Sequence, residues 1–207
     1  MLIKFEDLPL HSKITGVIHI GAHECEERDG YINHFNLDDS KIIWIEAIAE
    51  KVLEAKTKYP NIQIYNECIG DTNDKNISFI ITNNFQSSSM FELKTHKTQY
   101  PHITEIKREN MTTKKIKTLF QENNIDAKYY NFLNMDIQGA ELLALKGFED
   151  MLNNIEYIYT EVSTEELYEN CALLKDIDEY LEKNNFKRII TNMTSNGWGD
   201  AFYIKQK

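Results

Sequence analysis

The feature that most limits the possible fold is an alternation of short apolar runs with amphipathic segments along the chain. Runs rich in β-branched and aromatic residues predict strands, and the segments between them predict helices. Strands that alternate with helices form a largely parallel sheet covered on both faces. We therefore predict an α/β fold with one doubly wound, mostly parallel sheet. The predicted strands are residues 16–20, 41–46, 61–68, 76–82, 130–135, 155–162, 186–191 and 201–205, and the predicted helices are residues 24–35, 47–59, 118–124, 140–151 and 171–183.

The C-terminal part of the chain is expected to depart from the parallel arrangement. No helix separates the last two predicted strands, so we expect them to form an antiparallel hairpin at one edge of the sheet. The 207 residues fit a single domain, since domains commonly span about 100–200 residues. Within residues 1–207, residues 1–15 form an N-terminal lead-in, and residues 83–111 form a long irregular loop on the substrate side. Loops of that length in a compact domain are usually functional.

Composition excludes several classes of protein. A hydrophobic content of 42% is ample for a buried core. A membrane span needs about 20 consecutive apolar residues, and the longest runs here, such as residues 42–45, are far shorter. Because the N-terminus also lacks a long apolar stretch, we expect a cytoplasmic protein without a membrane span. Cys25, Cys68 and Cys171 are odd in number and too widely spaced for a CxxC pair, which argues against a disulfide framework.

The charge distribution bears on possible partners. The formal net charge is −10, which argues against a nucleic-acid partner, because such binding depends on neutralising phosphates. Residues 94–117 are locally basic, with seven lysines and arginines against two acids. Two interpretations of this stretch stay open. It is either a solvated surface or a face toward a small-molecule or glycan acceptor that bears a phosphate.

Candidate cofactor-binding residues follow the first three predicted strands. In open α/β sheets, ligands bind beyond the carboxyl ends of the strands, near the point where the strand order reverses. The first strand is followed by Gly21-Ala22-His23-Glu24, where glycine permits a close backbone approach and the next helix offers free N–H groups. Glu46 ends the second strand, and a carboxylate there can accept hydrogen bonds from both ribose hydroxyls. Residues 68–71 form a turn that could flank adenine.

This pattern suits two cofactors, nicotinamide dinucleotides and S-adenosylmethionine. A GxGxxG motif, which would bind a pyrophosphate, is missing after the first strand. That absence favours S-adenosylmethionine. Each turn also has a plain structural interpretation, as an ordinary connection between a strand and a helix.

Candidate catalytic residues end two later strands. Asp136 follows one predicted strand, and Glu161 ends the next. Two acids on the tips of neighbouring strands can share a proton, position a hydroxyl, or hold a divalent cation such as Mg²⁺ or Mn²⁺. His102, in the long loop, is a rival base because histidine titrates near neutrality. Glu141 is interpreted as a first-turn acid that the helix dipole favours.

An ordered set of motifs covering residues 16–205 resembles the FkbM family of methyltransferases. The matching segments are Gly21-Ala22-His23, Glu46, Ser87-Ser88-Ser89, Lys117-Thr118-Leu119, Met135-Asp136-Ile137-Gln138-Gly139-Ala140-Glu141, Leu142-Leu143-Ala144-Leu145-Lys146-Gly147 and Trp198-Gly199-Asp200-Ala201. The chain departs from the family pattern at two positions. His19 stands where the first strand usually carries an acid, and Cys25 stands where a small residue, usually glycine, is common.

The resemblance implies a class I, Rossmann-like fold that binds S-adenosylmethionine and methylates a hydroxyl of a carbohydrate or glycan-like acceptor. It also assigns residues by position. The methionine portion would be lined by Gly21, Ala22, His23 and Glu24; the ribose would be held at Glu46 and Ala47; adenine would be flanked by Cys68, Ile69 and Asp71; and the methyl group would lie near Ser88 and Asp136.

Methyl transfer to an aliphatic hydroxyl needs a base or a metal, because a neutral hydroxyl is a weak nucleophile. Asp136 is the expected base or metal ligand, and Glu161 assists it. An alternative function is also consistent with the sequence: a non-catalytic Rossmann-like module that binds or recruits a partner. The presence of both Glu46 and Asp136 favours the enzyme.

Overall fold

The computed structural model describes residues 1–206, and two sheets and six α-helices are formed within that range. The strands are β1 (Val17–Ile20), β2 (Ile42–Glu46), β3 (Gln63–Asn66), β4 (Cys68–Ile69), β5 (Asn76–Thr82), β6 (Glu105–Lys114), β7 (Phe132–Met135), β8 (Tyr157–Ser163), β9 (Phe186–Met193) and β10 (Trp198–Lys205). The helices are α1 (Arg28–Phe35), α2 (Ala49–Lys58), α3 (His96–Gln99), α4 (Ile116–Glu122), α5 (Glu141–Phe148) and α6 (Leu174–Lys183).

The central sheet has the strand order β3-β2-β1-β7-β8-β10-β9. Strands β1 to β3, β7 and β8 run parallel, whereas β10 pairs antiparallel with both β8 and β9. The predicted α/β fold, with a mostly parallel sheet and an antiparallel C-terminal hairpin at its edge, is therefore confirmed. The strand order reverses between β1 and β7, which is where open α/β sheets bind ligands.

Both faces of the central strands of this sheet are buried, as expected for parallel strands covered by helices. Every residue of β1, β2 and β7 is buried. One face packs against α5 and α6 through an apolar cluster that includes Leu145 and Leu181, and the other packs around Trp44 and Phe132. Each fully buried side chain of this size contributes about 1.5–3 kcal/mol, so the sheet gives the site a rigid base.

The structure corrects two predicted elements. Residues 105–111, expected to be irregular, belong to β6, which pairs antiparallel with β5 in a second, three-stranded sheet of order β4-β6-β5. Most β6 side chains are exposed, so this strand lacks the apolar run by which strands are recognised. Residues 76–82 consequently join the small sheet instead of the central one. The first helix begins at Arg28, not at residue 24, because His23 and Cys25 adopt positive φ angles of 41° and 58°.

Among residues 1–206, none of the helices combines the length and the apolar character that crossing a bilayer requires.

Candidate active site

A cavity of about 540 Å³ opens at the carboxyl ends of β1, β2, β7 and β8. Its volume lies in the range typical of small-molecule sites. Residues from the segment 83–104, which connects β5 to β6 and includes α3, line one wall. The sheet supplies the floor, so the cavity lies at the point where the strand order reverses.

Gly21 forms the turn at the end of β1. Its φ is +90°, and a Cβ added there would lie 1.9 Å from the carbonyl oxygen of Asp136. The Gly21 N–H donates to Ile45 O at 2.9 Å, and the Asp136 N–H donates to Ile20 O at 3.0 Å. Glycine is therefore required where the ends of three strands meet.

Glu46, at the end of β2, is held with its carboxylate on the cavity wall. It is only 7% exposed and accepts hydrogen bonds from the His23 and Ile48 N–H groups, both at 2.8 Å. Burial raises its pKa, whereas the two backbone donors oppose the rise. Each carboxylate oxygen can accept more than one hydrogen bond, so both retain capacity for the hydroxyls of a ligand.

Asp136 and Glu161 are linked through one side-chain amide. The Gln138 Nε2 donates to Asp136 Oδ1 at 2.6 Å and to Glu161 Oε2 at 2.9 Å. Burial, followed by the Asp136 charge, raises the pKa of Glu161 well above its usual value. Burial also raises the pKa of Asp136, against the hydrogen bond from Gln138. Two close carboxylates do not ionise equally, and the stronger rise in the pKa of Glu161 makes Asp136 the partner that ionises first.

Gln138 is itself held by Tyr168. The Tyr168 hydroxyl donates to Gln138 Oε1 at 2.5 Å, which orients the amide so that its two hydrogens face the acids. Gln138 has a φ of +52°, a conformation that few residues other than glycine adopt without strain. A third acid, Asp200, lies opposite Glu161 in the β8–β10 register and accepts a hydrogen bond from the Tyr159 hydroxyl.

Glu141 is buried beneath the loop that carries Gln138. Its Oε1 accepts from the Ile137 N–H at 3.0 Å and the Gly139 N–H at 3.2 Å. Burial, reinforced by the nearby Asp136 charge, raises its pKa to about 7. Glu141 therefore anchors the loop from below and is not part of the cavity wall.

The expected metal site is not supported. In the part of the chain that the structure describes, no group of three or more His, Cys, Asp or Glu side chains is arranged to hold a metal ion. The donor hydrogens of Gln138 bridge Asp136 and Glu161, and an amide N–H₂ in that position repels a cation. The geometry of this pair therefore gives no support to a Mg²⁺ or Mn²⁺ site.

The cavity gathers most of the predicted site residues. Those that line it are Gly21, His23, Glu46, Ala47, Cys68, Ile69, Ser88, Asp136 and Glu161. Four others lie outside its lining. Ala22 is buried behind the turn, Asp71 is half-buried elsewhere, and Glu24 is exposed, with an oxygen 3.2 Å from Lys51 Nζ. His102 is exposed beyond α3; the histidine that this segment contributes to the cavity is His96.

Several residues of the cavity were missed by sequence reasoning. They include His96, Tyr100, Gln138 and Tyr168. Gln138 stands inside a motif that was quoted, but only the fold shows that its amide joins two acids. The aromatic residues carried no signal, because aromatic side chains are common in any core.

The basic side chains of the stretch 94–117 do not line the cavity. Its ion pairs join Lys107 to Glu109 at 2.7 Å, Lys114 to Glu67 at 2.6 Å and Lys115 to Glu149 at 2.8 Å. Lys94, Arg108 and Lys117 also pair with carboxylates. None of the seven basic residues lines the cavity, so the structure supports the interpretation as a solvated, ion-paired surface.

Comparisons with known proteins agree with this architecture. A family model described as "Methyltransferase FkbM domain" matches residues 19–188. Two solved structures are similar in fold: methyltransferase FkbM from Methylobacillus flagellatus KT (17% identity, TM-score 0.57, 97% of this chain and 46% of that one) and an O-methyltransferase from Bacillus cereus in complex with SAH (11% identity, TM-score 0.52, 94% and 75%). The chain thus spans about half the length of the first. Among curated proteins, no match is found. The fold is that of class I, Rossmann-like methyltransferases.

Proposed function

The chain belongs to the FkbM methyltransferase family, and from that premise we propose that it transfers a methyl group from S-adenosylmethionine to a hydroxyl of a carbohydrate or glycan-like acceptor. One observation carries the proposal. Glu46 and Asp136 end the strands on either side of β1 and line the same cavity, beside Gly21. A ribose-binding carboxylate and a potential base are thus combined in one site.

The residues present fit this cofactor. The oriented Glu46 carboxylate suits the two ribose hydroxyls, and a small apolar cluster that includes Ile48, Cys68 and Phe79 suits a flat base. The charged side chains of the lining are acidic, with no lysine or arginine among the described residues: Glu26, Glu27, Glu46, Glu67, Asp136, Glu161 and Asp200 all line the cavity. A cavity of that charge favours a cationic sulfonium.

Asp136 is the proposed base. S-adenosylmethionine supplies a methyl group on a sulfonium sulfur, and the carbon–sulfur bond breaks with its electron pair left on sulfur as the acceptor oxygen bonds to the methyl carbon. Asp136 accepts the hydroxyl proton, because it is the ionised member of the pair. Glu161, protonated, supports the charge on Asp136 through the shared Gln138 amide. In-line positioning of the acceptor oxygen and the methyl group supplies the rest of the rate acceleration.

We also propose that the protein acts in the cytoplasm. Its three cysteines are free and buried, which suits a reducing compartment.

The cofactor assignment is tested by calorimetric titration with S-adenosylhomocysteine. We expect a dissociation constant on the order of micromolar for the wild-type protein. Glu46→Gln should weaken it about 10- to 100-fold, because hydrogen bonds to a charged group contribute about 1.5–3 kcal/mol. Glu24→Gln is the matched control, since Glu24 is exposed and lies outside the cavity lining.

Two results would contradict the cofactor assignment. If Glu46→Gln and Glu24→Gln bind S-adenosylhomocysteine equally well, Glu46 does not hold the ribose. If the folded wild-type protein does not bind it, the non-catalytic module is the better description.

A further inference from the structure

His96 is a buried histidine whose ring has no hydrogen-bond partner. It is 5% exposed and lines the cavity from α3. Its Nδ1 is enclosed and unpaired, and across residues 1–206 no side-chain hydrogen bond to Nε2 is formed either. Leaving a buried polar group unsatisfied costs about 1–3 kcal/mol. Because Nδ1 is fully enclosed, the nitrogen that a cavity ligand can reach is Nε2, which is unpaired among the described residues.

The surroundings of His96 show what kind of partner fits. Burial lowers its pKa, so the imidazole is neutral and has one donor and one acceptor nitrogen. A hydroxyl has the same two capacities. The ring lies between those of Tyr100 and Tyr168, at centroid distances of 5.0 Å and 5.5 Å, so its orientation is restricted by packing.

An aromatic wall continues from His96. The Tyr100 hydroxyl accepts hydrogen bonds from Trp198 Nε1 at 2.7 Å and from Asn196 Nδ2 at 2.6 Å. These bonds tie the segment 83–104 to β10 and its preceding turn. Aromatic side chains bury the apolar face of a ligand ring, and neighbouring polar atoms then form hydrogen bonds with the hydroxyls of that ring.

This wall is connected to the reacting acids. The Tyr168 ring packs against His96, and its hydroxyl donates to Gln138, whose amide contacts Asp136 and Glu161. A ring-shaped ligand bound at His96 would therefore lie next to Tyr168, whose hydrogen bond orients Gln138 toward the proposed base Asp136.

The charge of the cavity restricts the ligand further. Seven acidic residues line it, whereas its lining contains no lysine or arginine side chain among the residues described. Lys94 and Arg108 pair with carboxylates outside the lining, and Lys114 lies outside it but pairs with Glu67 of the lining. A phosphate or carboxylate group would be repelled here, since like charges brought together cost several kcal/mol.

We propose that His96 is an acceptor-binding residue and that the acceptor is a hydroxylated ring without an anionic group. One acceptor hydroxyl pairs with the imidazole, the ring lies along Tyr100 and Trp198, and another hydroxyl faces Asp136. This inference rests on the proposed methyl-transfer function and names the substrate class for it.

Saturation-transfer NMR of the full chain tests the proposal, with two matched probes: methyl β-D-glucopyranoside and glucose 6-phosphate. Each is titrated with and without S-adenosylhomocysteine. The variants are His96→Phe, which keeps an aromatic ring, His96→Gln, which restores polar atoms, and His102→Phe, in which the same change is made at an exposed site.

We expect the neutral glycoside to bind the wild-type protein and His102→Phe equally. His96→Phe should weaken that binding about 3- to 10-fold, as loss of a neutral hydrogen bond does, and His96→Gln should recover part of the loss. Affinity for S-adenosylhomocysteine should not change. If His96→Phe does not fold, His96→Leu provides the same comparison.

Three outcomes would overturn the proposal. They are equal glycoside binding by His96→Phe and the wild type, tighter binding of glucose 6-phosphate than of the glycoside, and no glycoside binding at all. Failure of S-adenosylhomocysteine to bind would instead contradict the cofactor assignment. The acceptor proposal would still be tested, because His96→Phe and His102→Phe are also compared in the absence of S-adenosylhomocysteine.

Discussion

Gly21 and Asp136 are in backbone contact: a Cβ on Gly21 would lie 1.9 Å from the Asp136 carbonyl oxygen. The glycine belongs to the turn after β1, and the acid follows the adjacent strand β7. Their contact means that the proposed cofactor turn also determines where the proposed base lies. The proposed cofactor-binding turn and the proposed base are thus connected by a main-chain contact.

Gly21→Ala should therefore destabilise the protein strongly. The positive φ alone costs about 1–2 kcal/mol in a residue with a Cβ, and the overlap with Asp136 adds about 1–3 kcal/mol. Urea unfolding measures the sum. Gly70→Ala is the control, because its closest contact would be 3.1 Å from a Thr113 side-chain atom. Equal unfolding free energies for the two variants would show that the contact is not tight in solution.

Asp136→Asn should reduce methyl transfer to the neutral glycoside about 10²- to 10⁴-fold, which is the usual contribution of a general base. Affinity for S-adenosylhomocysteine should stay within about threefold of the wild type, because Glu46 is unchanged. Turnover with labelled S-adenosylmethionine and calorimetry separate the two effects. Asp29→Asn, at an exposed position of α1, serves as control. Full turnover by Asp136→Asn would exclude it as the base.

Gln138→Met should shift the pH dependence of turnover. The base must be ionised, so turnover rises with pH through the apparent pKa of the Asp136–Glu161 pair. The Gln138 amide stabilises ionised Asp136 and lowers its pKa, so its removal should move the acid limb upward by about one pH unit. Turnover is measured from pH 5 to 9 for Gln138→Met and for the control variant Gln121→Met on α4. An acid limb that stays in place would assign Gln138 a packing role only.

Glu141→Gln should make stability less dependent on pH. The pKa of Glu141 is about 7 in the folded chain against 4.5 for a free glutamate. Between these values the unfolded chain loses the proton and the folded chain keeps it, so stability decreases as pH rises toward and through 7. The contribution is roughly 2–4 kcal/mol.

Urea unfolding at pH 5 and pH 8.5 measures this dependence. The difference between the two unfolding free energies should be smaller for Glu141→Gln than for the wild type, while Glu179→Gln, exposed on α6, should match the wild type. An unchanged difference in Glu141→Gln would mean that Glu141 is already ionised at pH 5.

The central sheet and the strand ends were predictable because they depend on local patterns. Apolar runs identify buried strands without reference to any distant residue. Glu46, Asp136 and Glu161 could then be assigned to one edge, since parallel strands have their carboxyl ends on the same side. The strand β6 escaped prediction because most of its side chains are exposed, so it lacks the apolar run by which strands are recognised.

The sequence by itself determined the α/β architecture, the family and the acids that end the central strands. Only the tertiary structure decided which side chains complete the site. His96 and Tyr168 come from separate segments, whereas the His102 side chain is exposed. The Gln138 amide donates to two acids and is itself oriented by Tyr168. Such contacts join residues far apart in the chain, so they depend on strand register and packing, whereas helix and strand formation depends on neighbours a few positions away.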